Sequence, residues 1–158
     1  MSTTVTESPG TRVEVEAVVA AFDAKWRAGG PAAAFVERWK DLLDPEIRLV
    51  QPQVPTLVGY EAFARGFVEP FFALMPDARG EVLGWAAAGE TAYVEIEITG
   101  TIGRRMVKLR SCDRLTVRGG RIVERVAYAD PGPLLAAVAL TPRVWPTFIR
   151  MQINQRRR

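Results

Sequence analysis

GETAYVEIEITGTIGRRMVKLRSCDRLTVRGGRIVERVAYAD, residues 89–130, is the stretch on which the fold turns. It reads as three long strands, ETAYVEIEITG (90–100), RRMVKLRSCDRLTV (104–117) and RIVERVAYAD (121–130), joined by turn signals at 100–103 and 118–120. Three strands met in succession predict one curled antiparallel sheet, with the helical sequence before them lying in its hollow.

Side chains alternate along a strand, so Val94, Ile96 and Ile98 share one face while Tyr93, Glu95 and Glu97 share the other. Closing the first turn with either two or four loop residues gives the partner strand the same parity. Glu95 and Glu97 then lie on the face of Lys108 and Arg110, as solvated pairs worth little each. The opposite face collects Val107, Leu109, Ser111, Asp113, Leu115 and Val117. One carboxylate in such apolar company is the anomaly of this sequence. An unpaired buried charge is costly, so Asp113 is expected to be paired, protonated or beside a wet cavity. The next turn decides which. Three loop residues with a glycine bulge put Arg125 opposite Asp113, with Val123, Ala127 and Ala129 on the same face. A two-residue Gly119-Gly120 turn instead brings Val126 and Tyr128 round to it. Ala127 and Ala129 are small, as if space were left there.

Outward from the sheet, Val15, Val18, Val19, Phe22 and Trp26 recur at helical intervals until Gly29-Gly30-Pro31. A second helix carries Phe35, Trp39, Leu42 and Leu43 on one stripe and is expected to end near Asp44-Pro45. IRLVQ (47–51) reads as a short strand closed by a loop containing Pro52 and Pro55. A third helix, 60–74, bears the stripe Phe63, Phe67, Phe71 and Leu74, with Pro70 as a kink. A strand over 80–85 precedes the long three. Pro131-Gly132-Pro133 is a firm break before two short apolar segments.

The 158 residues, 48% hydrophobic and 25% charged, fit one ordinary domain. We expect a mobile tail over 1–10, a domain over 11–135 and an extension over 136–158 that packs on the domain or on a partner subunit. No apolar run nears the roughly 20 residues that span a bilayer, and the start MSTTVTESPGT lacks the basic and apolar regions of a signal peptide. A cytoplasmic protein without membrane insertion is the expectation. Histidine is absent and Cys112 is the single cysteine. Acid-base chemistry near neutral pH therefore falls to carboxylates, Tyr, Lys or water, and neither metal nor cofactor is expected. The net charge is +3, with arginines spread along the chain apart from Arg156-Arg157-Arg158, so no nucleic-acid partner is expected.

Helices first and a curled sheet last, with the closing pattern Gly120-Arg121-Ile122-Val123-Glu124-Arg125 then Ala127-Tyr128-Ala129-Asp130-Pro131, resemble the SnoaL-like group of the nuclear transport factor two superfamily. The resemblance covers about 13–135. It implies an α+β cone of helices against a curved antiparallel sheet, an apolar pocket inside and frequent homodimerisation through the sheet. Ser111-Cys112-Asp113-Arg114-Leu115 resembles the ketosteroid isomerase segment whose protonated Asp donates to an enolate oxygen. The position of that enzyme's base is Gln51 here, and that of its oxyanion tyrosine is Phe22. An amide takes no proton from carbon. The Asp of the limonene-epoxide hydrolase pattern corresponds to Ala127.

The implied function is a cofactor-independent enzyme acting on a small apolar carbonyl compound, a polyketide, steroid or terpenoid, by isomerisation, cyclisation, dehydration or hydration. Asp113 is the candidate acid-base group, Arg125 its tuner or an oxyanion partner, and Gln51 an orienting amide. Trp39, Tyr60, Phe67, Ile96, Ile98, Ser111, Leu115 and Ala127 are the candidate ligand-binding residues. The other class kept open is a binding or scaffold domain that converts nothing. Tyr128 and Asp130 are expected on the outer face or at a dimer contact.

Overall fold

The computed structural model describes residues 9–52 and 54–156. Residues 1–8 of the expected tail lie outside the described residues. The first helix, α1, spans Pro9–Ala28 and so takes in the tail's last two positions. It buries Val15, Val18, Val19, Phe22 and Trp26, one stripe at helical spacing. The next helix, α2 (Ala32–Trp39), is shorter than expected. Leu42 and Leu43 are buried as the helical stripe implied, but by another route. The carbonyl of Leu42 accepts the N–H of Ile122 at 2.8 Å and Leu43 pairs with Ile122, so sheet pairing draws the chain out of the helix. Strand β1 accordingly spans Leu43–Gln51.

The proline-bearing loop after it contains a strand, β2 (Val54–Val58), paired with β1. Pro55 is tolerated there because β2 is an edge, with one side free of ladder bonds. The third helix is split in three: α3 (Tyr60–Phe63), a wide π turn (Ala64–Val68) and α4 (Glu69–Leu74). Pro70 cannot donate to the carbonyl four residues back, and widening the turn ahead of it relieves that conflict.

The remaining strands are β3 (Arg79–Ala88), β4 (Thr91–Ile102), β5 (Arg105–Arg118) and β6 (Arg121–Ala129). The sheet order is β2-β1-β6-β5-β4-β3. It is α+β as expected, yet the sheet is mixed, because β1 runs parallel to β6 and all other neighbours are antiparallel. Helix α5 (Gly132–Ala139), a 3-10 turn (Pro142–Val144) and helix α6 (Trp145–Arg156) close the described chain, α6 lying on α4 and β2. The expected boundary at 135 falls inside α5. Among the described residues no helix is long and apolar enough to cross a membrane.

Both readings of the β5–β6 turn contain a part of the answer. The loop is the two-residue Gly119-Gly120, both at positive φ (57° and 70°), which matches the strand twist. A bulge then absorbs Val123: Thr116 pairs with Glu124 and Val117 with Ile122. The extra residue restores the parity that a three-residue loop would have given. Arg125, Ala127 and Ala129 therefore face inward, and Tyr128 stays exposed on the outer face. On that outer face Lys108 and Arg110 each reach Glu97 at 2.9 Å, the expected exposed ladder.

Candidate functional site

Asp113 has no exposed surface. Its partner strands place Val94 on one side and Ala127 on the other, and Arg125 one row away, opposite Leu115. From there Arg125 Nε donates to Asp113 Oδ2 at 2.6 Å, and Ser111 Oγ donates to Oδ1 at 2.5 Å. Both carboxylate oxygens are thus taken by the protein's own donors. The guanidinium carbon of Arg125 lies 5.7, 5.6 and 5.5 Å from the ring centres of Phe22, Trp26 and Phe67, a cationic plane boxed by aromatic rings. Phe22, at the position of the isomerase tyrosine, forms one wall of this box.

Arg125 is 5% exposed and lines a cavity of about 130 Å³. Gln51, Phe67, Ile98, Ser111 and Ala127 line it too, bringing together six of the sequence-predicted residues with Arg125 itself. A guanidinium carries five N–H donors, and among the described residues Arg125 uses only that of Nε. Four donors on the cavity wall are left for a ligand.

The other candidates lie elsewhere. Trp39 is buried between Phe22, Trp26, Phe35 and Phe63, in the helical layer. Tyr60 gives its hydroxyl to the carbonyl of Val36, and Lys40 stands 5.9 Å above its ring. Burial first, then Glu37 and Asp41, push its phenol up to about 12. Ile96 and Leu115 have no exposed surface and serve the core. Asp113 itself, the expected acid-base group, touches Arg125 and Ser111 rather than the cavity. Its place is behind the wall, as the group that orients Arg125.

Sequence reasoning missed Asp130 at the cavity rim. It is the one carboxylate on that wall among the described residues. Its Oδ1 accepts the N–H of Gly132 at 2.8 Å, where β6 gives way to α5, and Oδ2 has no partner among the described residues. The signal that could have found it was Asp130-Pro131-Gly132: an Asp at a turn is held by the N–H two residues on, which here fixes an exposed carboxylate at the rim. Phe71 and Leu134 add apolar wall, and both also border an adjoining cavity of about 100 Å³ closed by Phe148 and Gln152 of α6. Among the described residues no cluster of carboxylates and cysteine is placed to hold a metal ion.

The chain shares this architecture with solved structures of low identity, which speak for the fold alone. A protein from Jannaschia sp. CCS1, proposed to be a SnoaL-like polyketide cyclase, is 21% identical with a TM-score of 0.69, over 84% of this chain and 95% of its own. A protein of ketosteroid isomerase-like fold from Catenulispora acidiphila, solved with trimethylamine, is 20% identical with a TM-score of 0.64, over 77% and 92%. An epoxide hydrolase of M. tuberculosis related to limonene-epoxide hydrolase is 16% identical with a TM-score of 0.63, over 86% and 96%. No curated protein matches the sequence significantly. The model of the SnoaL-like domain family matches residues 15–125, most of the chain, and the protein accordingly belongs to that family.

Proposed function

We propose that the protein is a cofactor-independent enzyme that isomerises, cyclises, hydrates or dehydrates a small, largely apolar carbonyl compound of the polyketide, steroid or terpenoid kind. The observation that carries this reading is Arg125, anchored through Nε by Asp113 and left with four donors on the wall of a largely apolar cavity that Gln51 and Asp130 also line. Donors held in advance, in a place with little water, stabilise charge as it develops on a carbonyl oxygen. Arg125 binds that oxyanion. Asp113 and Ser111 hold the guanidinium in place, and Gln51 orients the substrate through its amide. Asp130 takes the proton from carbon and returns it. The proton balance closes within the site, so no cofactor is called for.

A ligand at about a hundred times its dissociation constant adds about 2.7 kcal/mol to stability. Thermal melts with 2-naphthol, as an enolate mimic, should therefore rise for the native protein and stay flat for Ala127→Phe, whose ring fills the cavity. Enolisation is read separately, as deuterium wash-in beside the carbonyl of 2-tetralone. Wash-in that Asp130→Asn abolishes, while 2-naphthol still raises the melt, supports the base. Binding without wash-in for a panel of flat ketones would favour a second reading, a domain that holds a small molecule without converting it. That reading draws on Gln51 and Ala127, which stand where relatives carry their bases. Homodimerisation through the outer face of the sheet belongs to the same proposal.

A further inference from the structure

Among the residues whose side chains the structure describes, nearly every cation is engaged. Each lysine there, and each arginine but four, makes a hydrogen bond or an ion pair. The four are Arg104, Arg105, Arg143 and Arg150, and three of them line one open groove of about 460 Å³. Among the described residues no carboxylate stands on its walls. One side of the groove is the turn between β4 and β5, and the other is the connector from α5 to the 3-10 turn.

The two sides lie in close contact. Gly103 has a φ of 64°, and a Cβ there would come within 2.5 Å of Thr141 Cγ2, so the turn meets the connector at a distance only glycine admits. Thr141 is fixed in turn, its hydroxyl donating to Ala137 O at 2.8 Å and its N–H to Val138 O at 3.0 Å. Like charges collected on both sides of a fixed groove repel one another unless an anion lies between them. Leu140, 61% exposed, and Pro142 add an apolar flank.

We infer that this groove is a binding site for a phosphate-bearing ligand, a phosphomonoester or a diphosphate. Guanidinium forks match phosphate oxygens in pairs. Three of them suit a group of more than one negative charge, whereas a monocarboxylate would leave two unanswered. The groove shares no residue with the cavity below Arg125, so the inference stands or falls apart from the proposed reaction.

The test is a titration of the 15N-labelled full chain with sodium diphosphate, and separately with ADP, at constant ionic strength. Saturable shifts of the amides of 103–105, 140, 141, 143 and 144, with a dissociation constant below about 1 mM, are expected. Arg104→Ser/Arg143→Ser should weaken binding about tenfold or more while leaving the rest of the spectrum in place. Tighter binding of ADP than of diphosphate assigns the ligand to nucleotides, and the reverse to the phosphate group alone. Either outcome supports the site. Shifts that never saturate, or that sodium acetate reproduces, overturn it. So does tight binding of an oligonucleotide that diphosphate fails to displace, which would make the arginines part of a nucleic-acid surface.

Discussion

Removing the carboxylate of Asp113 leaves a guanidinium buried among Phe22, Trp26 and Phe67 with no counter-charge. Breaking a buried pair from one side costs about 3–5 kcal/mol, so Asp113→Ala should lower the urea midpoint severely. Replacing both partners by Leu removes the stranded charge as well, and should recover much of that loss. If the double variant is no more stable than Asp113→Ala, the pair is not the unit described here. Asp113 is legible in the sequence because strand alternation alone makes it the charge on an apolar face. Its role is not legible, since that depends on which donors reach its two oxygens, and a bulge three strand positions away decides it. Tyr60 illustrates the opposite case. Its place at a helix start suggested access to a ligand, but the carbonyl of Val36 takes its hydroxyl and burial raises its ionisation to about 12. The folded chain holds the phenol neutral past the ordinary value near 10, so stability falls as pH rises between about 10 and 12. A tyrosinate absorbance titration should show a late step near 12 that Tyr60→Phe lacks.

At the scale of the element, the bulge at Val123 is what keeps Arg125 inside. Deleting Val123 leaves Glu124 opposite Thr116 and Ile122 opposite Val117, the pairing already present, so the hairpin should fold and keep the Asp113–Arg125 bond. Deleting Glu124 together with Val123 puts Arg125 opposite Thr116 and reverses every later side chain, turning Arg125 outward and Val126 and Tyr128 inward. Circular dichroism melts separate the two: a cooperative transition for the single deletion, its loss for the double. Equal tolerance of both changes would show that the bulge does not set the register. The three long strands are legible because alternation over 42 residues leaves little choice. The bulge is not, because Val123 differs in no chemical way from a strand residue that pairs normally. The strand β2 was hidden by Pro55, whose cost disappears on an edge. The π turn was hidden by a stripe of phenylalanines whose three- and four-residue spacing fits one continuous helix.

At the scale of the whole molecule, helices among the described residues leave one face of the sheet uncovered, and its chemistry there is mixed. Tyr93 and Tyr128 are 46% and 58% exposed, and Cys112, also exposed, pairs with Tyr128 on one side and Glu95 on the other. Beside them run Glu95, Glu97, Lys108 and Arg110, charges of both signs in adjacent rows. A patch with aromatic rings inside and both signs of charge beside them can match a second copy of itself across a twofold axis, rings on rings and carboxylates on guanidiniums. The proposed homodimer would use it. Tyr128→Glu adds a charge to the apolar part of that surface while disturbing nothing buried, so sedimentation should change from dimer to monomer with the thermal melt of the protomer little affected. Cys112 supplies an independent readout, because its thiol is open in the protomer and would be covered in the dimer. Maleimide labelling should then slow as protein concentration rises for the native chain and remain fast at every concentration for Tyr128→Glu. A native protein that sediments as a monomer, with labelling independent of concentration, would leave the outer face as solvated sheet and assign the aromatic rings no partner.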